Sequence, residues 1–309
     1  MKKTVVFLFF VLFTYPLFSQ ISKSDSTVRV TAYWILHEKH TYTVTEENNK
    51  IKNDIDTIDN EKYTYKIDVE ILDTVANSYT IQWILHDFKL INASNAGMKD
   101  LYQLLENSRI VFSTTRKGQF KEILNWNELQ QKYKTGIDLL RSKYASSPEM
   151  TALLNESENQ YHANEKTESS IAKLINQFYA FHGGKYKLGK ELSKPVKLPN
   201  RFGEKPFDGV LTVQLDDIDA ANNYSIIRSW QTANAGQMTD FKKQQQRNSA
   251  DDKNIEQRQD QSNIYPVEYE TRIASQIHGA TGWVIYSTQT TEISVDNTLE
   301  IEDTIIELQ

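Results

Sequence analysis

Between Thr27 and Leu90 the chain repeatedly alternates large apolar and polar side chains, and that two-residue period leaves it few ways to fold. Tyr63, Tyr65, Ile67, Val69 and Ile71 fall on one side, while Thr64, Lys66, Asp68 and Glu70 fall on the other. Tyr42 and Val44 alternate with Thr41, Thr43 and Thr45, and Tyr79, Ile81 and Trp83 resume the pattern after an Ala76-Asn77-Ser78 turn. A period of two is that of a half-buried β-strand; a helix would scatter these residues around its axis. The acid- and Asn-rich stretch from Glu46 to Asn60 reads as an exposed loop between strands. Strand character returns at Val210, Thr212 and Leu215, at Tyr224 and Ile226, from Tyr269 to Ile293, and in Leu299-Glu300-Ile301-Glu302.

The middle third has a different period. Trp126, Leu129, Tyr133, Ile137, Leu140 and Tyr144 recur at spacings of three and four, which makes one apolar helical stripe. Asn125 and Glu128 resemble a capping box at its start. Ser147-Pro148 opens a second helix carrying Leu153 and Leu154. A third places Ile171, Leu174, Ile175, Phe178 and His182 on one face and stops at Gly183-Gly184. A striped helix and an alternating sheet each need an apolar partner, and here each can serve the other. The expected fold is therefore α+β: a curved antiparallel sheet, as a half-barrel or incomplete barrel, packed against an inserted helical segment at about 125–185.

A weak internal repeat accompanies this layout. Val69 to Asp73, a turn and Tyr79 to Trp83 are echoed by Val213 to Asp217, a turn and Tyr224 to Trp230, and Asn-Ala-Gly follows both (Asn95 to Gly97, Asn234 to Gly236). One domain spanning 20–309 is the first expectation, and two similar halves joined by the helices the second. Gln237 to Asn263, rich in glutamine and charge with widely spaced apolar residues, reads as a mobile polar segment.

Composition then bounds function. With 35 Lys+Arg against 41 Asp+Glu and a formal charge of −6, the chain lacks the basic excess that nucleic-acid binding draws on. Having no cysteine, it has no disulfide, thiolate metal site or cysteine nucleophile. Lys2 and Lys3 precede an apolar run from Val5 to Phe13, continued by Tyr15, Pro16, Leu17 and Phe18, which is the layout of a secretory signal peptide. Cleavage after Ser19 would remove 1–19; cleavage after Gln20 is the alternative. The expectation is a periplasmic or secreted protein with no transmembrane segment in its mature chain.

Motifs for chemistry are sparse. His37-Glu38-Lys39-His40 falls one residue short of HExxH, and strand neighbours would send the two histidines to opposite faces. Ser170 and Lys173 fit S-x-x-K without its partner motifs, and no G-x-S-x-G elbow occurs. Asp216, Asp217 and Asp219 bunch at a turn but lack the EF-hand order. The reading names no catalytic, cofactor-binding or metal residue. Its candidate residues are the lining of an apolar cavity or core: Trp126, Leu129, Tyr133, Ile137, Leu140, Trp83 and Tyr79.

The segments Leu36 to Val44, Tyr79 to Trp83, and Arg116 to Ile123 through Asn125-Trp126 resemble uncharacterised exported cell-envelope proteins of Bacteroidetes. The order strands, helical insert, strands is similar to that of LolA-type lipoprotein carriers. That resemblance implies a curved antiparallel sheet wrapping helices around an apolar cavity. The leading expectation is an exported, non-catalytic envelope protein that binds an apolar small molecule or an envelope protein. An extracytoplasmic hydrolase and a structural or assembly factor of the envelope are the alternatives.

Overall fold

The computed structural model describes residues 20–53, 55–93, 97–162, 170–198, 205–241, 267–295 and 297–309. Its first long strands form a meander: β3 (Lys39–Lys52), β4 (Asp56–Val75), β5 (Ser78–Asn92), β6 (Ser108–Thr115) and β7 (Phe120–Ile123), with helix α1 (Met98–Gln103) between β5 and β6. A second meander follows the helices: β9 (Glu191–Leu198), β10 (Phe207–Asp219), β11 (Tyr224–Ala233), β12 (Glu268–His278), β13 (Val284–Val295) and β14 (Thr298–Leu308). The two join where β14 pairs antiparallel with β3, giving an open 11-stranded sheet in the order β7-β6-β5-β4-β3-β14-β13-β12-β11-β10-β9. The fold is the expected curved α+β sheet, with helices on one face.

Helices α2 (Trp126–Lys143), α3 (Pro148–His162) and α4 (Ser170–Phe178) bridge β7 and β9. α2 lies on the first meander and α4 bridges its β7 edge to β13 of the second; Trp126, Leu129, Ile171, Leu174, Ile175 and Phe178 share one core with Tyr42, Tyr65, Ile67, Tyr79, Ile81, Trp83, Val284 and Ile306. A small sheet of β1 (Ile21–Ser22), β2 (Thr27–Arg29) and β8 (Lys185–Lys187) covers one end of the second meander through Ile21, Val28 and Phe181 against Leu215, Ile227 and Ile277.

The segment Glu46 to Asn60 is not a loop. It forms the outer part of the β3–β4 hairpin, paired in register from Glu46↔Tyr63 to Lys52↔Asp56. Polar residues occupy both faces there because cross-strand partners satisfy them: Lys62 donates to Glu47 at 2.7 Å and Lys50 to Glu300 at 2.6 Å. Asn125 does not cap α2 with its side chain. That amide instead braces β6, donating to the Arg109 carbonyl at 2.8 Å and accepting from the Val111 N–H at 2.9 Å. His37 sits in a turn before β3, so the expected strand begins later, at Lys39. Of the polar segment 237–263, residues 242–263 lie outside the described part. The remainder is helical at 235–241 and buries Met238 against Leu198, Phe207 and Val267. The echo between the halves corresponds to the same order of elements: hairpin, short helix, hairpin, as β4–β5–α1–β6–β7 and as β10–β11–(235–241)–β12–β13.

Candidate functional site

The seven residues singled out by sequence are all wholly or largely buried, but they do not surround one space. Tyr79 and Trp83 lie in the sheet with Trp126 and Leu129 upon them, and Trp83 meets Phe112 and Phe178 edge-on at 5.3 and 5.4 Å. Further along α2 the stripe leaves the sheet. Ile137 and Leu140 pack with Leu101 of α1 and Leu154 of α3, and Tyr133 touches both clusters. The stripe is continuous in sequence and divided in space, because α1 and α3 cover its second half.

A different surface crosses the middle of the second meander on the same face of the sheet. Register places Leu192, Val213, Ser229, Ile273, Gln289, Thr304, Glu46 and Tyr63 in one row across eight strands. The next row is Lys194, Leu211, Gln231, Thr271, Thr291, Glu302, Asn48 and Glu61. Paired residues of a sheet project to one side, so each row is a stripe. The β9–β10 end of this trough is aliphatic, with Leu192 exposed and Leu211 and Val213 half-buried. Hydroxyls and amides follow: Thr271 and Thr291 share a hydrogen bond at 3.1 Å, and Gln177 of α4 donates to the Thr304 carbonyl at 3.2 Å. One apolar cluster, with the small sheet and Phe181, lies beyond one end of the rows, and another, of Leu198, Phe207, Met238 and Val267, lies beyond the other.

Acids and tyrosines form the far wall. Glu46 accepts hydrogen bonds from the hydroxyls of Tyr63 and of Tyr65, the latter at 2.6 Å. Burial pushes its carboxyl above the usual range; the two phenols oppose that and Glu302 adds to it. Glu61, bonded to Tyr102 of α1, moves the same way, again chiefly through burial. Tyr102 lies 3.9 Å from the Tyr63 ring and Tyr65 stacks on Phe88 at 4.6 Å.

The histidines are held by neighbours rather than gathered. His182 is buried beside Trp34 and Tyr179, donates Nε2–H to the Gly282 carbonyl at 2.8 Å, and is pushed by burial down to about 4. His40 contacts Glu38, His37 approaches Glu70, and His86 lies between Asp68 and Asp87. Asp219 accepts backbone N–H bonds from Ala221 and Asn222, so the bunched aspartates end in an Asx turn. Among the described residues, no three His, Asp or Glu side chains are grouped to hold a metal ion, and no helix is long and apolar enough to cross a membrane.

Sequence reasoning missed the trough because its residues are ordinary strand residues taken singly. The available signal was chemical: five of the six inward positions of the two rows on β11 to β13 are Ser229, Gln231, Thr271, Gln289 and Thr291, beside Ile273, where a sealed core would carry aliphatics throughout. No family profile matches the chain, and no curated protein matches it in sequence. Among solved structures it is similar to one described as lipid–protein interactions in lipovitellin, with a TM-score of 0.41 and 10% identity. The likeness covers 89% of this chain and 25% of that one, so the chain spans about a quarter of that protein's length.

Proposed function

We propose that this is an exported, non-catalytic binding protein of the cell envelope that holds an amphipathic ligand along the trough. The observation that carries the reading is the pair of cross-strand rows: mainly aliphatic at β9 and β10 with Lys194 at the edge, hydroxyl and amide around Ile273 at β11 to β13, and largely acid and tyrosine from β14 to β4. Such a gradient fits a ligand with an apolar part and a polar head better than one that is apolar throughout. Half-buried aliphatics between two apolar clusters gain by being covered, and hydroxyls and amides beside them supply direction.

Native mass spectrometry of protein purified from its own host tests this directly, since a co-purifying amphiphile is the expected result. Leu211→Glu should weaken binding of anilinonaphthalene sulfonate about tenfold, as a charge enters the aliphatic end. Leu129→Ala, on the packed side, should leave dye binding unchanged. Dye binding that responds to Leu129→Ala and ignores Leu211→Glu would move the ligand to the helix–sheet core and overturn the trough assignment.

A further inference from the structure

The stretch from Tyr33 to Glu38 leads into β3 and holds apolar side chains in water. Trp34 is buried and stacked on Trp283, with ring centroids 4.7 Å apart. Its neighbours face outward: Ile35 is 72% exposed, and Tyr33 and Leu36 are 45% exposed. The backbone between them is fixed. Glu38 N–H donates to the Ile35 carbonyl at 3.0 Å, His37 N–H to the Ile71 carbonyl at 2.9 Å, and Ile71 N–H to the Glu38 carbonyl at 3.1 Å. The Glu38 carboxylate closes the turn, accepting from the Ile35 N–H at 2.9 Å and from Trp283 Nε1–H at 2.8 Å. His37 holds a φ of 63°, a left-handed conformation that strains a residue with a side chain. Strain and hydrogen bonds together keep Ile35 and Leu36 out, where an unconstrained loop would turn one of them inward.

Three cations lie near this segment. Lys39 is exposed beside it, and Arg116 and Lys117 are exposed on the β6–β7 turn. That turn is tied to the same segment: Ala32 N–H donates to the Lys117 carbonyl at 3.3 Å, and Arg116 lies 4.4 Å over the Tyr79 ring, whose hydroxyl donates to the Ala32 carbonyl. The neighbouring carboxylate Glu70 is bonded to Lys39 at 3.2 Å. The β3–β4 turn, at the other end of these strands, offers a contrast: Ile55 is 83% exposed there, but Asp56 lies beside it and opposes the exposed Lys52 across the hairpin, so no cationic excess surrounds it.

We propose that the Tyr33–Leu36 turn docks the protein on an anionic lipid bilayer. Ile35 and Leu36 enter the interface, Tyr33 lies at headgroup level, and Lys39, Arg116 and Lys117 meet the phosphates. A small protruding aliphatic tip with a cationic collar suits a bilayer, whereas a protein partner needs a broad complementary area. This surface lies outside the trough, so the inference does not depend on the ligand.

Flotation of the full mature protein with vesicles of phosphatidylglycerol and phosphatidylcholine in equal parts tests it. The wild type should float with them, and with pure phosphatidylcholine only weakly. The double variant Ile35→Ser, Leu36→Ser should lose at least about tenfold in partitioning. Arg116→Gln with Lys117→Gln should lose binding only on the anionic vesicles, and Ile55→Ser should change nothing. An unchanged melting transition and unchanged dye binding in each variant exclude misfolding and separate this result from the fate of the trough reading. Wild-type protein that stays off anionic vesicles, or a double variant that binds like wild type, overturns the proposal. So does a wild-type dimer in sedimentation that the double variant abolishes, which would make a second copy the occupant.

Discussion

Two glutamates show how residue-level surroundings set opposite pH responses. Burial pushes Glu38 up, but bonds from His40, the Ile35 N–H and Trp283 outweigh it and hold its carboxyl below the ordinary range. Its contribution is therefore present above the unfolded value and lost as pH falls through the folded one. Glu46 is raised, so ionising it costs the fold as pH climbs through and just above the ordinary carboxylate range. In urea melts from about pH 7 down to about pH 3, Glu38→Gln should lose about 1 kcal/mol at the upper end and converge on wild type only as pH falls below the ordinary carboxylate range. Glu46→Gln should gain stability at the upper end, because the neutral amide removes the buried charge while its oxygen keeps one phenol's bond and its NH2 donates to the other phenol's oxygen. At Leu129, buried against the sheet, substitution by alanine should cost about 2–5 kcal/mol, since its surroundings are packed rings and aliphatics. The importance of Leu129 was legible from its place in the stripe. The roles of Glu38 and Glu46 were not, because their partners lie as far off in sequence as Trp283 and Tyr65.

The elements were legible wherever one face is apolar. Strand β4 from Tyr63 to Ile71 and the stripe of α2 both follow from periodicity, since burial on one side selects the pattern. The outer β3–β4 hairpin escaped because its residues bond across strands instead of entering a core, which erases the alternation that reveals a strand. Turns were legible as turns but not as joints. Gly282 has φ of 75°, and a Cβ there would lie 2.5 Å from the Thr31 carbonyl oxygen, so the β12–β13 turn fits only against the segment leading to β3. Gly282→Ala should therefore destabilise by more than about 1 kcal/mol, and Gly236→Ala, which meets only the Asn234 side chain at 3.2 Å, by much less. Differential scanning calorimetry of the two variants checks the contrast.

At the scale of the whole molecule, the open sheet with helices on one face could be anticipated from the order of periods. The trough could not, because it exists only once β9 to β14 and β3 to β4 are in register. Gln20 has a similar character. Its side chain accepts from the Thr31 N–H at 2.7 Å and donates to the Thr31 carbonyl at 2.6 Å, while its backbone N–H donates to the Gly279 carbonyl at 3.1 Å. If the leader is removed as proposed, the mature mass should begin at Gln20 and not at Ile21, since the second cut would discard all three bonds. Protein from the host's envelope fraction, weighed intact, decides this. The pairing of β14 with β3 also bears on how the molecule comes into being. β3 is made early, yet its second neighbour is contributed by residues 298–308, more than two hundred positions later. Until those residues emerge, β3 presents a bare edge, and the two meanders have no seam to join them. If the protein is exported N-terminus first, as proposed, the sheet stays unfinished until β14 has crossed. Under that proposal, closure of the β14–β3 seam would report that translocation has passed β14, and a chain stopped earlier would keep β3 as an open edge.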